Sequence, residues 1–404
     1  MARVCMVALT RYETDARVRR EAEALVERGD HVDVICLRTS ANRPLRSLGG
    51  VRLHEVWIPR YRGTSTLTYM AQYTVFFALA AIGVTWLHLR HHYDVVQVHT
   101  MPDFIVFTAT LAKLLGAKVV LDVHDLVPEL YESKFGLSET DRAIRLLMWI
   151  ERRSVAFANR AIAVHEPHLD ALVGHGNPRE KFDVLLNAPD PNLFSPRARR
   201  PPANASFRLV YHGTIAPRHG LETAVRAVAR VRERIGPIEF LVLGVGDGLP
   251  GLERLVRELD LGGTVIVPKT VVPLDSLLPL IADADVGVVP ILDDGFTKYM
   301  LPVKLLEYVA LGIPVVCSET ETIRAYFDDR MLAFFTPGDD EAMAERLVEL
   351  HRDAGLRDEL ALRASAFFEI HSWEVQKRRY YELIDRLAAA PAVRSEPQDW
   401  SIVE

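Results

Sequence analysis

Cysteine is scarce: Cys5, Cys36 and Cys317 are the three in 404 residues. Each stands in an apolar, strand-like run without metal-ligand spacing, so neither a disulfide framework nor a metal motif is expected from them. They read as small buried hydrophobes kept reduced, which fits a cytoplasmic setting. Excess positive charge is missing as well. The formal net charge is −6, which argues against a general nucleic-acid binder. No signal peptide is expected, because the apolar run after Arg3 is short and leads into a charged helix. The turn after the first strand lacks Gly-x-Gly-x-x-Gly, and the glycines at 244, 246 and 248 have another spacing. A dinucleotide cofactor is therefore not expected. Asp283-x-Asp285 has the look of a metal-binding pair, but it falls between a helix end and a strand start. We read it as structural and expect no metal and no cofactor.

What is present alternates strand and helix. Residues 3–9 form an apolar run of the kind a doubly buried parallel strand shows. A polar loop follows, then a helical pattern ending at Gly29, then the strand HVDVICL. This opening predicts a Rossmann-like α/β domain, whose ligands bind at the carboxyl ends of strands. Asp15, Arg17 and Arg19 lie there and would meet an acceptor, or they form a plain solvated helix start. His124 and Asp125 lie just past the strand that begins at Lys118. Residues 195–206 are rich in proline, arginine and alanine, as linkers are. We place the domain boundary there. A second Rossmann-like half is expected over 196–372, a final helix over 373–390, and a loosely ordered tail over 391–404.

Residues 69–89 are the longest stretch free of Asp, Glu, Lys and Arg, long enough to span a bilayer. Three readings compete. A membrane-spanning helix would split one βα domain. A buried domain helix is the plain alternative. The third is a helix lying on a membrane surface, with Arg60, Arg62, Arg90, His91 and His92 at its ends.

The densest stretch is GFTKYMLPVKLLEYVALGIPVVCS, residues 295–318. Pro302 suits a first helical position. Leu305, Leu306, Val309 and Ala310 form an apolar stripe, and Gly312 with Pro314 stops the helix. Lys304 sits in the first turn, where the macrodipole disfavours a cation unless an anion joins it. Glu307 shares its face and has the acceptors to hold a diol such as a ribose. The plain alternative is an i,i+3 ion pair on a solvated face.

LPVKLLEYVALGIPVV (301–316) resembles the donor-site segment of the family-4 glycosyltransferases, which have the GT-B fold. The resemblance covers essentially the whole chain. It implies two Rossmann-like domains facing across a cleft, 1–195 on the acceptor side and 196–372 binding the sugar nucleotide, with helix 373–390 crossing back. Glu307 matches the glutamate that holds the ribose. The family's second glutamate, eight residues earlier, is here Tyr299. The chain is similar to a subgroup with Leu-Pro-x-Lys-x-x-Glu-Tyr, where Lys304 and the preceding loop take over. HDxxPE resembles the segment whose histidine sits by the donor sugar, which makes His124 the leading catalytic residue, with Asp125 orienting its ring. Gly213 lets the backbone approach the diphosphate. The family's usual arginine and lysine positions in that loop hold Thr214 and His219, so Arg218 is assigned the charge, with Lys304 as the second cation. Tyr299, Met300, Leu301, Pro302 and Val303 complete the donor side, and Val272 frames the base together with its neighbours 269–273. Asn187 and Asp190 resemble a hinge-side pair.

The resemblance implies a retaining, metal-independent transfer from a nucleoside-diphosphate sugar to a hydroxyl of a sugar, lipid-linked or small-molecule acceptor. The setting it suggests is cell-surface glycan or glycolipid synthesis at the inner face of the membrane. Two rivals stay open: a sugar-nucleotide epimerase on the same fold, and a non-catalytic sugar-nucleotide-binding subunit of a membrane complex.

Overall fold

The computed structural model describes residues 1–38, 46–58, 66–196, 206–268 and 274–389. It divides into two compact units: Met1–Leu186 with the residues from Gln376 onward, and Asn187–Val375. The division falls upstream of the expected boundary at 195. The physical reason is that the chain stays tied to the first sheet through Leu186: Leu185 N–H donates to Ala163 O at 2.9 Å, and Leu186 N–H to Gln376 Oε1 at 3.0 Å. Most of the linker and all of the tail lie outside the described residues, as do Arg60, Arg62 and 269–273, which include Val272.

Eight strands form the first sheet: β1 (Arg3–Ala8), β2 (His31–Leu37), β3 (Ser47–Leu48), β4 (Val51–Val56), β5 (Val95–His99), β6 (Lys118–Val123), β7 (Arg160–Ala163) and β8 (Phe182–Val184). Their order is β3-β4-β2-β1-β5-β6-β7-β8, parallel throughout except for the β3–β4 hairpin. The inner strands are buried on both faces, which is why they read as nearly unbroken apolar runs. The order reverses between β1 and β5. The crevice outside the carboxyl ends at such a reversal is the ligand position of open α/β sheets. The final helix, Trp373–Ala389, adds Tyr380, Leu383 and Ile384 to the core of this unit.

The apolar helix extends beyond its expected ends, over Thr66–His91. Phe76, Ala80, Val84 and Leu87 are buried, one face at helical spacing. The opposite face is not. Val75, Leu79, Ile82, Trp86 and Leu89 are exposed, Ile82 at 67% and Leu89 at 58%. The reading as an ordinary buried helix is therefore corrected: one stripe packs on the sheet and a second apolar stripe meets solvent.

The second unit holds β9 (Phe207–His212), β10 (Ile238–Leu243), β11 (Val265–Ile266), β12 (Val286–Val289), β13 (Val315–Ser318) and β14 (Ala333–Phe335), in the order β11-β10-β9-β12-β13-β14. All its pairs are parallel. Here the reversal falls between β9 and β12. The glycines after β10 serve packing: a Cβ on Gly244 would overlap the carbonyl of Gly213, the residue that leaves β9. Asp285 is structural as expected, its carboxylate accepting from Arg208 N–H at 2.8 Å. The three cysteines are buried and free.

Candidate functional site

The reversal in the second unit gathers two cations. β9 ends at His212 and hands over to Gly213, whose φ of +106° suits glycine. A Cβ there would lie 3.6 Å from Lys304 Nζ, so the ammonium sits beside bare backbone. Lys304 comes from the helix Val303–Ala310, which starts one residue later than expected. Pro302 is its N-cap, because its extended backbone (ψ 127°) does not yet join the helix. The first-turn N–H groups at Val303 and Lys304 have no intrahelical acceptor.

Lys304 Nζ donates to Tyr211 Oη at 2.7 Å and stands 3.9 Å from the centroid of the same ring. Burial pulls its pKa down to about 7, against a smaller opposing pull from Glu307. Tyr211 Oη in turn donates to Thr214 O at 2.5 Å. His219 Nδ1 also donates to that carbonyl, at 2.7 Å. Burial first, then Lys304, lower the His219 pKa to about 4, so its ring is neutral. Arg218 lies 5.7 Å from the Phe296 ring, and its buried Nε has no partner. Neither Lys304 nor Arg218 forms an ion pair among the described residues. The i,i+3 pair with Glu307 is not made. Glu307 Oε2 accepts from His212 Nε2 at 2.6 Å instead, and His212 Nδ1 lies 3.0 Å from Tyr308 Oη. Glu307 is thus held by its own neighbours, independently of Lys304.

The reversal in the first unit gathers a closed network. Asp15 caps the helix Ala16–Glu27 by accepting from Val18 N–H at 3.1 Å. Arg17 neither meets solvent nor stands free for an acceptor. It is buried, and its Nε and Nη2 donate to Asp122 Oδ2 and Oδ1 at 2.9 and 2.8 Å. Arg19 does follow the solvated reading, pairing with Glu23 at 2.7 Å. His124 Nε2 and His99 Nδ1 each lie 3.0 Å from Asp122 Oδ2. The carboxylate at the His124 ring is therefore Asp122, not Asp125. Strand geometry explains it: residues two apart share a face of β6 and its extension, and adjacent ones do not. Burial alone would raise the Asp122 carboxyl. The Arg17 guanidinium, aided by both imidazoles, outweighs burial and holds it well below the usual carboxylate range. The network continues from Arg17 to Glu21, and from Glu21 through Gln97 to Tyr380 on the final helix. Glu129 belongs to a separate pair, 2.8 Å from His175 Nε2.

His99, Asp122 and His124 stand close enough to share a metal ion. Both carboxylate oxygens already accept from Arg17, whose charge opposes a second cation there.

Comparison with known proteins identifies the family. A model described as glycosyl transferase 4-like domain matches residues 14–188, and one described as glycosyl transferases group 1 matches residues 206–353. The chain belongs to the group 1, family-4-like glycosyltransferases. The amylovoran biosynthesis glycosyltransferase AmsK of Erwinia amylovora is 27% identical over 221 residues, 54% of each chain. The chain spans about half the length of the curated relatives it matches. Among solved structures, sucrose-phosphate synthase from Thermosynechococcus elongatus superposes with a TM-score of 0.76 at 18% identity, over 97% of this chain and 100% of that one. Anabaena HepE in complex with UDP-glucose does so with a TM-score of 0.73 at 15% identity, over 96% and 100%. These likenesses show the GT-B fold.

Within the second unit, Gly213, Lys304 and Glu307 meet at the carboxyl ends of the central strands, with Arg218 on the neighbouring loop. Tyr299 ends the short 3-10 turn Thr297–Tyr299, and Met300, Leu301, Pro302 and Val303 lead from it into the helix. His99, Asp122 and Tyr211 escaped the sequence reading, and His212 and Tyr308 received no role there. One signal was available. Asp122, His99 and His212 interrupt apolar strands (KVVLDV, VVQVH, FRLVYH), and a polar residue at a buried strand position needs a partner.

Proposed function

We propose that this glycosyltransferase moves a sugar from a nucleoside-diphosphate sugar to a hydroxyl acceptor, with retention and without a metal, in glycan or glycolipid synthesis. One observation carries the donor assignment: Lys304 stands beside bare backbone at a helix N-terminus, with Arg218 on the neighbouring loop, and neither cation makes an ion pair among the described residues. A diphosphate supplies that missing charge, and the same groups stabilise it as it departs. Glu307, steadied by His212, accepts from the ribose hydroxyls. His124 contacts the sugar or the acceptor. Retention and metal independence rest on the family resemblance, and the departing phosphate takes the acceptor's proton. HepE binds UDP-glucose, so UDP is the first base to test.

The test is a thermal-shift panel of UDP, GDP, ADP and TDP, followed by release of the matching diphosphate from its sugar nucleotide. A ligand that binds only the folded form raises the midpoint by mass action. A rise with one base, abolished in Glu307→Ala, supports the donor site. Binding without turnover leaves the non-catalytic subunit, and turnover without acceptor leaves the epimerase. No rise with any of the four removes the donor assignment.

A second element belongs to this reading. The outer stripe of Thr66–His91 carries exposed Leu79, Ile82, Trp86 and Leu89, with Arg90 stacked 4.5 Å from the Trp86 ring. That pattern suits a lipid surface, with an apolar band and an aromatic–cation edge at headgroup depth. We assign it peripheral contact with the cytoplasmic face of a membrane. Ile82→Ser with Leu89→Ser should release the protein from anionic vesicles; unchanged sedimentation refutes the contact.

A further inference from the structure

The network at Asp122 sets more than the place of the His124 ring. Both oxygens of Asp122 accept from the Arg17 guanidinium, so this carboxylate offers lone pairs only. An imidazole nitrogen 3.0 Å from such an oxygen must bring a proton, because two facing lone pairs repel. His99 Nδ1 and His124 Nε2 both stand at that distance from Oδ2. The competing arrangement has His99 Nδ1–H donate to a lone pair on His124 Nε2, 3.2 Å away. It is longer and neutral, and it leaves that lone pair against the carboxylate. Charge-assisted hydrogen bonds are about twice as strong as neutral ones, so the first arrangement wins. The backbone holds the ring in register: His124 N–H donates to Thr100 Oγ1, and Thr100 N–H to Asp122 O, both at 3.0 Å.

We propose that Asp122 locks His124 in the tautomer protonated at Nε2, so that Nδ1 is the atom presented to substrate, as a lone pair. Exposure agrees. The His124 side chain is 19% accessible while His99 is sealed at 1%, and no described residue bonds His124 Nδ1. In this state Nδ1 accepts a hydrogen bond from a substrate hydroxyl. Asp122, Arg17 and His99 are positioning residues. His168, on the helix after β7, is a further titratable group within electrostatic reach of His124. The substrate half of the inference rests on the proposed role of His124; the tautomer does not.

The experiment is a long-range ¹H–¹⁵N correlation spectrum of the full chain labelled in histidine. The expected pattern is a pyridine-type Nδ1 and a pyrrole-type Nε2 for His124, with a pyrrole-type Nδ1 for His99. Asp122→Asn can turn an amide N–H toward Nε2. It should shift His124 toward the Nδ1–H form and cut turnover by about 100-fold or more, with diphosphate affinity unchanged. A wild-type Nδ1 of pyrrole type overturns the proposal. So does Zn²⁺ binding that makes both facing nitrogens metal-ligated, since it shows them offering lone pairs to a cation. If Asp122→Asn fails to fold, the wild-type spectrum decides alone. The expected spectrum together with wild-type turnover in His124→Ala establishes the tautomer and overturns the substrate contact.

Discussion

The two strand-edge clusters use arginine and lysine in opposite ways. In the first unit Arg17 is buried against Asp122, and each nitrogen of its head group donates to an internal acceptor. In the second, Lys304 and Arg218 rest on the rings of Tyr211 and Phe296 and make no ion pair among the described residues. A buried cation without a counter-charge is costly. Natural sequences keep such a cost where a ligand supplies what is missing. On the proposed function, the paired cation belongs to the frame that holds His124, and the unpaired ones to the anion site.

Removing each cation should separate the two roles most sharply. Arg17→Ala leaves Asp122 charged and buried without its partner, and breaking such a pair costs about 3–5 kcal/mol of stability. Lys304→Ala removes a charge that burial already disfavours. It should leave the denaturation midpoint nearly unmoved while lowering kcat on the order of 10²–10³-fold, as loss of one preorganised charge donor does. Urea denaturation and steady-state kinetics on both variants check this. A stable Arg17→Ala, or an unstable Lys304→Ala, breaks the distinction.

Proton linkage sharpens it further. In the first unit His175 sits between Glu129 and Glu151. Burial opposes its charge, but the two carboxylates win and raise its pKa from 6.5 to about 10. Its contribution to stability is full below 6.5 and is lost as pH rises to about 10. Lys304 runs the other way. Its pKa falls from 10.5 to about 7 on folding, so the folded state sheds the proton first. The penalty it imposes below 7 fades between 7 and 10.5, and stability rises. Between pH 7 and 10 the two slopes oppose. Wild type minus His175→Gln should lose stability with pH, and wild type minus Lys304→Met should gain it. A diphosphate favours charged Lys304, so its affinity should fall above about pH 7 in wild type and lose that component of its pH dependence in Lys304→Met.

Why one cluster was legible in the sequence and the other only in part follows from chain distance. Lys304, Glu307 and Gly312 fall within one loop–helix–turn, where spacing alone places them. The strand–helix alternation was legible for the same reason, since each period is local. Arg17 and Asp122 are 105 residues apart, and Gln97 and Tyr380 are 283 apart. Only strand order brings them together, and no spacing rule contains it. Asp125 looked like the partner of His124 because it is adjacent, while the pleat delivers Asp122. The two-residue β3 went unread because it carries no period, whereas the six-residue β4 (VRLHEV) alternates apolar and polar residues and could have been read.

The finest cut is Tyr211→Phe. It keeps the aromatic face under Lys304 Nζ and removes the hydroxyl that accepts from it at 2.7 Å. Thr214 O loses the tyrosine's donation but keeps that of His219 Nδ1 at 2.7 Å, so no buried carbonyl is orphaned. The loss of stability should stay near one ordinary hydrogen bond, about 0.5–1.5 kcal/mol. Turnover should fall far less than in Lys304→Ala, because the ammonium and its charge remain and only its aim is loosened. The pH at which diphosphate affinity declines should move, since one of the two contacts the ring makes to Nζ is gone. Thermal unfolding and a pH series of diphosphate affinity read both effects. If Tyr211→Phe costs as much turnover as Lys304→Ala, the hydroxyl rather than the unpaired charge carries the function, and the contrast between the framed cation and the waiting one fails at its centre.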